Sequence, residues 1–176
     1  MIMRPGQRLL LPASPWFIGL TLVLATVLNM VANMAGMGRA AWVPDLLAVT
    51  LAFWSVHQPM RVGVGVAFLF GLAMDAHQGA LLGQHAMAYT LLGYLAVLLH
   101  RRLLWFNVGE QALQVLPMFA AMHVLQVVGR LLTGDGWPGW PMLLAPLLEA
   151  LLWPVAHVLL LAPQRRAHDH DDTRPI

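Results

Sequence analysis

Few residues in this chain could do chemistry. Among its 176 residues there is no Cys and no Lys, and Ser occurs only at positions 14 and 55. Neither Ser lies in a nucleophile-elbow motif of the GxSxG kind. There is no HExxH pair for zinc and no Gly-rich loop preceding a Lys for phosphate. Without Cys there is also no disulfide framework, thiolate nucleophile or thiolate metal site. The remaining candidates are carboxylates and imidazoles inside apolar surroundings: Asp45, Asp75, Glu149 and His123. A Glu149–His123 pair has the chemistry of a proton relay, but one pair is a short inventory for a proton pathway. A hydrogen-bonded, structural Glu149 fits the residues equally well. The sequence therefore predicts a protein that is not an enzyme and has no cofactor and no metal.

These groups stand in a chain that is 59% hydrophobic and 10% charged, with mean hydropathy +0.68. A soluble domain carries about 25% charged residues. Such a composition points to an integral membrane protein. The sequence pI near 9.9 raises nucleic acid as a partner. All ten basic residues are Arg, however, and they fall beside apolar segments, where membrane topology calls for them. Nucleic acid is therefore not expected.

A span of the hydrocarbon core takes about 20 mostly apolar residues. Six candidates stand out, near 16–34, 42–56, 62–74, 82–99, 108–132 and 140–161. The first apolar run is longer than the 7–15-residue core of a signal peptide, so an uncleaved helix is expected there. No strand alternation competes. The expected class is all-α, with one six-helix membrane domain over residues 1–163 and a solvated, disordered polar tail over 164–176. The tail histidines, His168 and His170 among acids, are more in keeping with a solvated tail than with a metal site. With the N-terminus in the cytoplasm, eight Arg lie at inner ends and only Arg39 and Arg130 at outer ends. That asymmetry predicts both termini inside.

The third helix carries small residues at Gly63, Ala67 and Gly71, four apart, with Asp75 next on the same face. Small faces let helices approach closely in lipid. This face could be internal packing or a docking groove for a partner helix, and internal packing is the safer reading. A polar turn, Asp75-Ala76-His77-Gln78-Gly79, is expected to end the helix. Counting from Arg61 at about 1.5 Å per residue, Asp75 lies about 21 Å and Asp45 about 24 Å along the hairpin. Both then sit at similar depth toward the outer side. An ionisable group at that depth seeks a partner or a wet cavity, and Arg39 or Arg130 is the expected partner. The plainer alternative is that Asp45, after Pro44, caps helix two and Asp75 ends helix three near headgroup water. Asn29 and Asn33, four apart on helix one, are candidates for hydrogen bonds to a neighbouring helix. Asn107 and Glu110 read as a capping box at the start of helix five. Pro117, Pro146 and Pro154 are expected inside helices five and six.

The order of short motifs resembles a known family. Pro44-Asp45-Leu46-Leu47 is followed by Pro59-Met60-Arg61-Val62-Gly63, then Gly71-Leu72-Ala73-Met74-Asp75, then Gly79 and Leu82-Gly83-Gln84-His85-Ala86, and finally His100-Arg101-Arg102. This set, over about residues 10–162, is similar to MreD, the bacterial rod shape-determining membrane proteins. Ala76 departs from the aliphatic residue associated with that place. The resemblance implies a fold like the substrate-binding subunits of energy-coupling-factor transporters and a non-enzymatic role in the inner membrane. The implied partner is MreC. MreB, RodA and its partner transpeptidase follow indirectly, in the machinery of peptidoglycan synthesis. It also implies that Pro44, Asp45, Gly71, Asp75 and Gly83 form a structural or partner-facing set. The competing expectation is a subunit that binds a vitamin or metal ion in an outer polar cavity, lined by Asp45, Asp75, His77 and His85.

Overall fold

A computed structural model describes residues 13–35, 42–79, 83–134 and 136–164. Its regular elements are α1 (Pro15–Met34), α2 (Leu46–His57), α3 (Val64–Gln78), α4 (Gln84–Leu103), α5 (Val108–Thr133) and α6 (Leu144–Leu161). Short 3-10 turns flank α6 at Trp140–Leu143 and Ala162–Gln164. Among the described residues there is no strand. Gln164 is buried in the last of these turns. The tail histidines and Arg39 lie outside the described residues.

Among the described residues, three segments are long and apolar enough to cross a membrane: Pro15–Met34, Val108–Thr133 and Trp140–Gln164. The other helices are limited by length or by charge. At about 1.5 Å per residue, α2 is about 18 Å long and α3 about 22 Å, against a hydrocarbon core of about 30 Å. α4 is long enough but ends in His100, Arg101 and Arg102.

The shortest helix is the most enclosed. Nine of the twelve residues of α2 are buried, because α1, α4 and α6 all pack against it. Around it, α4 also packs on α3 and α5, α5 on α6, and α1 on α3. An aromatic cluster fills the centre. The Trp54 ring meets Phe53 edge-on at 5.3 Å and Phe17 at 6.0 Å, geometry that suits the ring quadrupoles. Phe53 also lies 5.7 Å from Trp153 of α6. Both buried indoles find acceptors: Trp54 Nε1 donates to Thr21 Oγ1 at 2.9 Å, and Trp153 Nε1 to Gln111 Oε1 at 3.1 Å. At the lower end of α2, His57 stacks on Phe53 at 4.0 Å, and His157 of α6 meets both rings edge-on.

Several boundaries differ from the sequence reading. α2 begins at Leu46 rather than Trp42, because Asp45 is its N-cap. The expected polar turn after Asp75 is helical through Gln78; only Gly79 leaves the helix, at φ 62°. α6 opens on a 3-10 turn, so Pro146 falls in its first turn and Pro154 alone lies in its interior. At α5, Glu110 Oε2 accepts from the Asn107 N–H at 3.2 Å, as a capping box requires.

Candidate functional site: a polar seam through the bundle

Polar side chains of four neighbouring helices converge on the start of α2. Asp45 Oδ1 accepts from its own Ala48 N–H at 2.9 Å, the N-cap bond. The same oxygen accepts from Asn29 Nδ2 of α1 at 2.5 Å, and Asn29 Oδ1 accepts the Leu46 N–H at 3.2 Å. Asp45 Oδ2 accepts from the Tyr89 hydroxyl of α4 at 2.5 Å. The backbone N–H of Asp45 donates to Glu149 Oε1 of α6 at 3.0 Å, and His123 Nε2 of α5 donates to that same oxygen at 2.9 Å. Five helices are thereby tied through one capping residue. Pro44, half-buried, precedes it.

The seam reaches α3 through α4. Tyr89 meets His85 ring to ring at 6.0 Å; the two are four residues apart and share a helix face. His85 Nδ1 donates to Asp75 Oδ1 at 2.8 Å. The Asp75 side chain also accepts three backbone N–H bonds: Gly83 at 2.8 Å and Ala86 at 3.2 Å on Oδ2, and His85 at 2.7 Å on Oδ1. Four accepted bonds use the full acceptor capacity of a carboxylate. Gly83, at φ 108°, is the N-cap of α4 but offers no side-chain oxygen. Asp75 supplies the missing cap from the neighbouring helix, and a negative group suits the positive end of α4.

Gly71 permits this contact. A Cβ there would lie 2.4 Å from Ala86 Cα and 2.7 Å from Ala86 N, so only glycine lets α3 come within reach of the α4 terminus. One turn earlier, Ala67 is buried against Gly93 of α4. The face Ala67, Gly71, Asp75 is thus turned inward onto α4. Gly63 departs from it: it is the N-cap of α3, and a Cβ there would touch only Pro59 O at 3.5 Å.

Other expectations change with this geometry. No arginine pairs with Asp45 or Asp75 among the described residues; hydrogen bonds from backbone, amide, phenol and imidazole donors satisfy both carboxylates instead. Asp75 does not end its helix near water: it is fully buried. Asn33 is half-buried and its side chain makes no hydrogen bond among the described residues, whereas Asn29 makes two. His77 is exposed and takes no part in the seam. With Asp75 saturated and His77 turned away, the four residues expected to line an outer ligand cavity do not form one. Among the described residues, no group of three His, Asp or Glu is placed to hold a metal ion.

The sequence reading missed Tyr89. Its signal was the i, i+4 spacing from His85 on one face of α4. One acceptor is left over: Glu149 Oε2 is buried with no partner. Buried polar atoms without partners are few in native proteins, and this one sits beside the only α5–α6 polar pair of the seam.

What this arrangement does chemically is hold helices together. Among the described residues, Asp45, Asp75 and Glu149 each accept hydrogen bonds from donors on other helices of this chain. The family described as rod shape-determining protein MreD matches residues 12–162. The rod shape-determining protein MreD of Haemophilus influenzae is 28% identical over 162 residues, covering 88% of this chain and 95% of its own length. No solved structure matches the chain. With 151 consecutive residues of the seam and its helices inside the family match, the chain belongs to the MreD family of rod shape-determining membrane proteins.

Proposed function

We propose that this protein is a non-enzymatic component of the cell-wall elongation complex, multi-pass in the bacterial inner membrane, that binds MreC and supports peptidoglycan synthesis. The observation that carries this reading is the use of the intramembrane polar groups. Asp45, Asp75, His85 and Tyr89 bond one another and the backbone, which makes them fastenings between helices. A chain of this kind, with almost no soluble mass, acts through its lateral helix faces and short loops. Membership of a shape-determining family supports the same reading.

In this reading all six helices cross or enter the bilayer, both termini are cytoplasmic, and the bundle is built like an energy-coupling-factor substrate subunit without its ligand site. The short α2 and α3 are tolerated because α2 is enclosed by protein rather than lipid. MreB, RodA and its partner transpeptidase are reached through MreC.

The test is a pull-down of the full chain from native membranes in gentle detergent, read by mass spectrometry. Recovery of MreC with the elongation enzymes is the expected result. Recovery of an ATPase module with a membrane coupler, and no MreC, would replace this reading with a transporter subunit. Asp75→Ala, compared at equal amounts of folded protein, reports whether the α3–α4 clamp is needed for the partner to bind.

A further inference from the structure

At the opposite end of α3 from Asp75 lies a groove of about 730 Å³ between α1 and α3. Its walls are apolar, with Trp16, Gly19 and Val23 on one side and Val66 and Phe70 on the other, and Arg61 stands at its mouth. From Pro15 to Val23, or from Val62 to Phe70, is eight residues, about 12 Å at the helical rise. The groove then stops. One leaflet of the hydrocarbon core is about 15 Å deep, half of about 30 Å.

The cation at the mouth is held in place. Arg61 Nη1 donates to the Ala13 carbonyl, just before the first turn of α1. A guanidinium has five N–H donors, so four remain. The side chain is exposed. Trp16, 88% exposed, marks the same end with the residue that favours the headgroup level.

We propose that this groove is a binding site for an acidic phospholipid, with one acyl chain along Gly19 and Val66 and the headgroup phosphate on Arg61. Charge complementarity names the headgroup: an arginine fork pairs with phosphate through parallel N–H bonds, and basic pockets beside membrane helices bind anionic lipid heads. The length of the groove names the other half. A partner helix is about 10 Å across and needs about 30 Å of seam, and this cleft covers less than half of that. An acyl chain enters one leaflet and ends near its middle. Gly19 deepens the cleft, since a Cβ there would meet nothing within 4 Å. The site is independent of the elongation-complex reading, because it needs only that α1 and α3 face lipid.

The experiment is native mass spectrometry of the full chain released from detergent, titrated with phosphatidylglycerol or phosphatidylcholine of identical chains. The wild type should prefer phosphatidylglycerol by about fivefold, the value of one basic side chain near an anionic lipid. Arg61→Gln should abolish that preference while leaving weak binding of both lipids. Arg61→Lys should keep part of it. Gly19→Phe sets its Cβ where nothing lies within 4 Å, fills the groove with a ring, and should weaken both lipids. Glycerol phosphate at equal concentration should not compete, since it lacks the chain. Equal affinity of the wild type for both lipids, or an Arg61→Gln variant that keeps the preference, would overturn the assignment. So would a Gly19→Phe variant that binds both lipids as the wild type does.

Discussion

The backbone N–H of Asp45 donates to Glu149 Oε1 across 104 residues of sequence, at 3.0 Å. The start of α2 is therefore pinned to the middle of α6, and His123 pins the same oxygen to α5. Five helices are joined through two carboxylates, Glu149 fully buried and Asp45 half-buried. The consequence is that substitutions in this seam act on stability and assembly together.

Glu149→Ala removes the acceptor of both bonds and leaves the Asp45 N–H and the His123 ring without a partner. Stranding buried donors costs about 1–3 kcal/mol each, so a large loss is expected, lowering the detergent melting temperature and the amount of folded protein. Glu149→Gln keeps one carbonyl oxygen for the same donors and replaces the unpartnered Oε2 with an amide. It should lie within about 1 kcal/mol of wild type. Equal melting temperatures for Ala and wild type would show that the pair carries no stability.

The contrast between Gly71 and Gly63 is sharper. Gly71→Ala drives a methyl to 2.4 Å from Ala86 Cα, and overpacking against backbone costs about 1–3 kcal/mol. Gly63→Ala meets only Pro59 O at 3.5 Å and should stay within about 0.5 kcal/mol. Both substitutions add one methyl to the same run of small residues. If the two variants melt alike, the face is not turned onto α4.

How much of this was legible depends on where the information sits. Helix class and the approximate place of the six helices follow from hydropathy, but only three of the six expected spans are long and apolar enough by themselves among the described residues. The Ala67–Gly71–Asp75 face was legible because a period near four holds within any helix. Its first member was not, since Gly63 lies just outside the helix. The turn expected at Asp75 failed for a tertiary reason. Asp, His, Gln and Gly together read as a turn, yet the Asp75 carboxylate is taken by the next helix and the α3 backbone continues to Gln78. Of the two arginines expected beside Asp45 or Asp75, Arg130 pairs with neither and Arg39 lies outside the described residues, while other donors fill both carboxylates. Three backbone N–H groups of a helix start, an amide and a phenol do the work of a cation. Tyr89 was missed because a tyrosine in an apolar helix reads as an interfacial anchor, and only the neighbouring helices turn it into a donor for Asp45.

Asp75→Ala leaves three backbone N–H groups of the first α4 turn without their acceptor. A lost N-cap typically costs about 1 kcal/mol, up to about 2, and here Gly83 has no side chain to take over. Hydrogen exchange localises the effect: the amides of Gly83, His85 and Ala86 should exchange faster, while those of α6 stay protected. Asp75→Asn keeps one acceptor oxygen and should fall between the two. Uniform exchange across the bundle in Asp75→Ala would mean that the residue serves the whole fold rather than this helix start.

Tyr89→Phe isolates the join between α4 and the α2 cap. It removes only the hydroxyl that donates to Asp45 Oδ2 and keeps the ring against His85. Interhelical hydrogen bonds in membrane proteins average about 0.6 kcal/mol, with values to about 1.7, and a bond to a carboxylate belongs toward the upper end. Asn29→Ala removes the other side-chain donor to the same group, together with the acceptor for Leu46 N–H. The two share Asp45, so their effects should not add. A double-mutant cycle read by unfolding in detergent should return a coupling of at least about 0.5 kcal/mol. Strict additivity would mean that Asp45 is held by its own cap bond to Ala48 alone, and that α1 and α4 reach α2 through packing rather than through the seam.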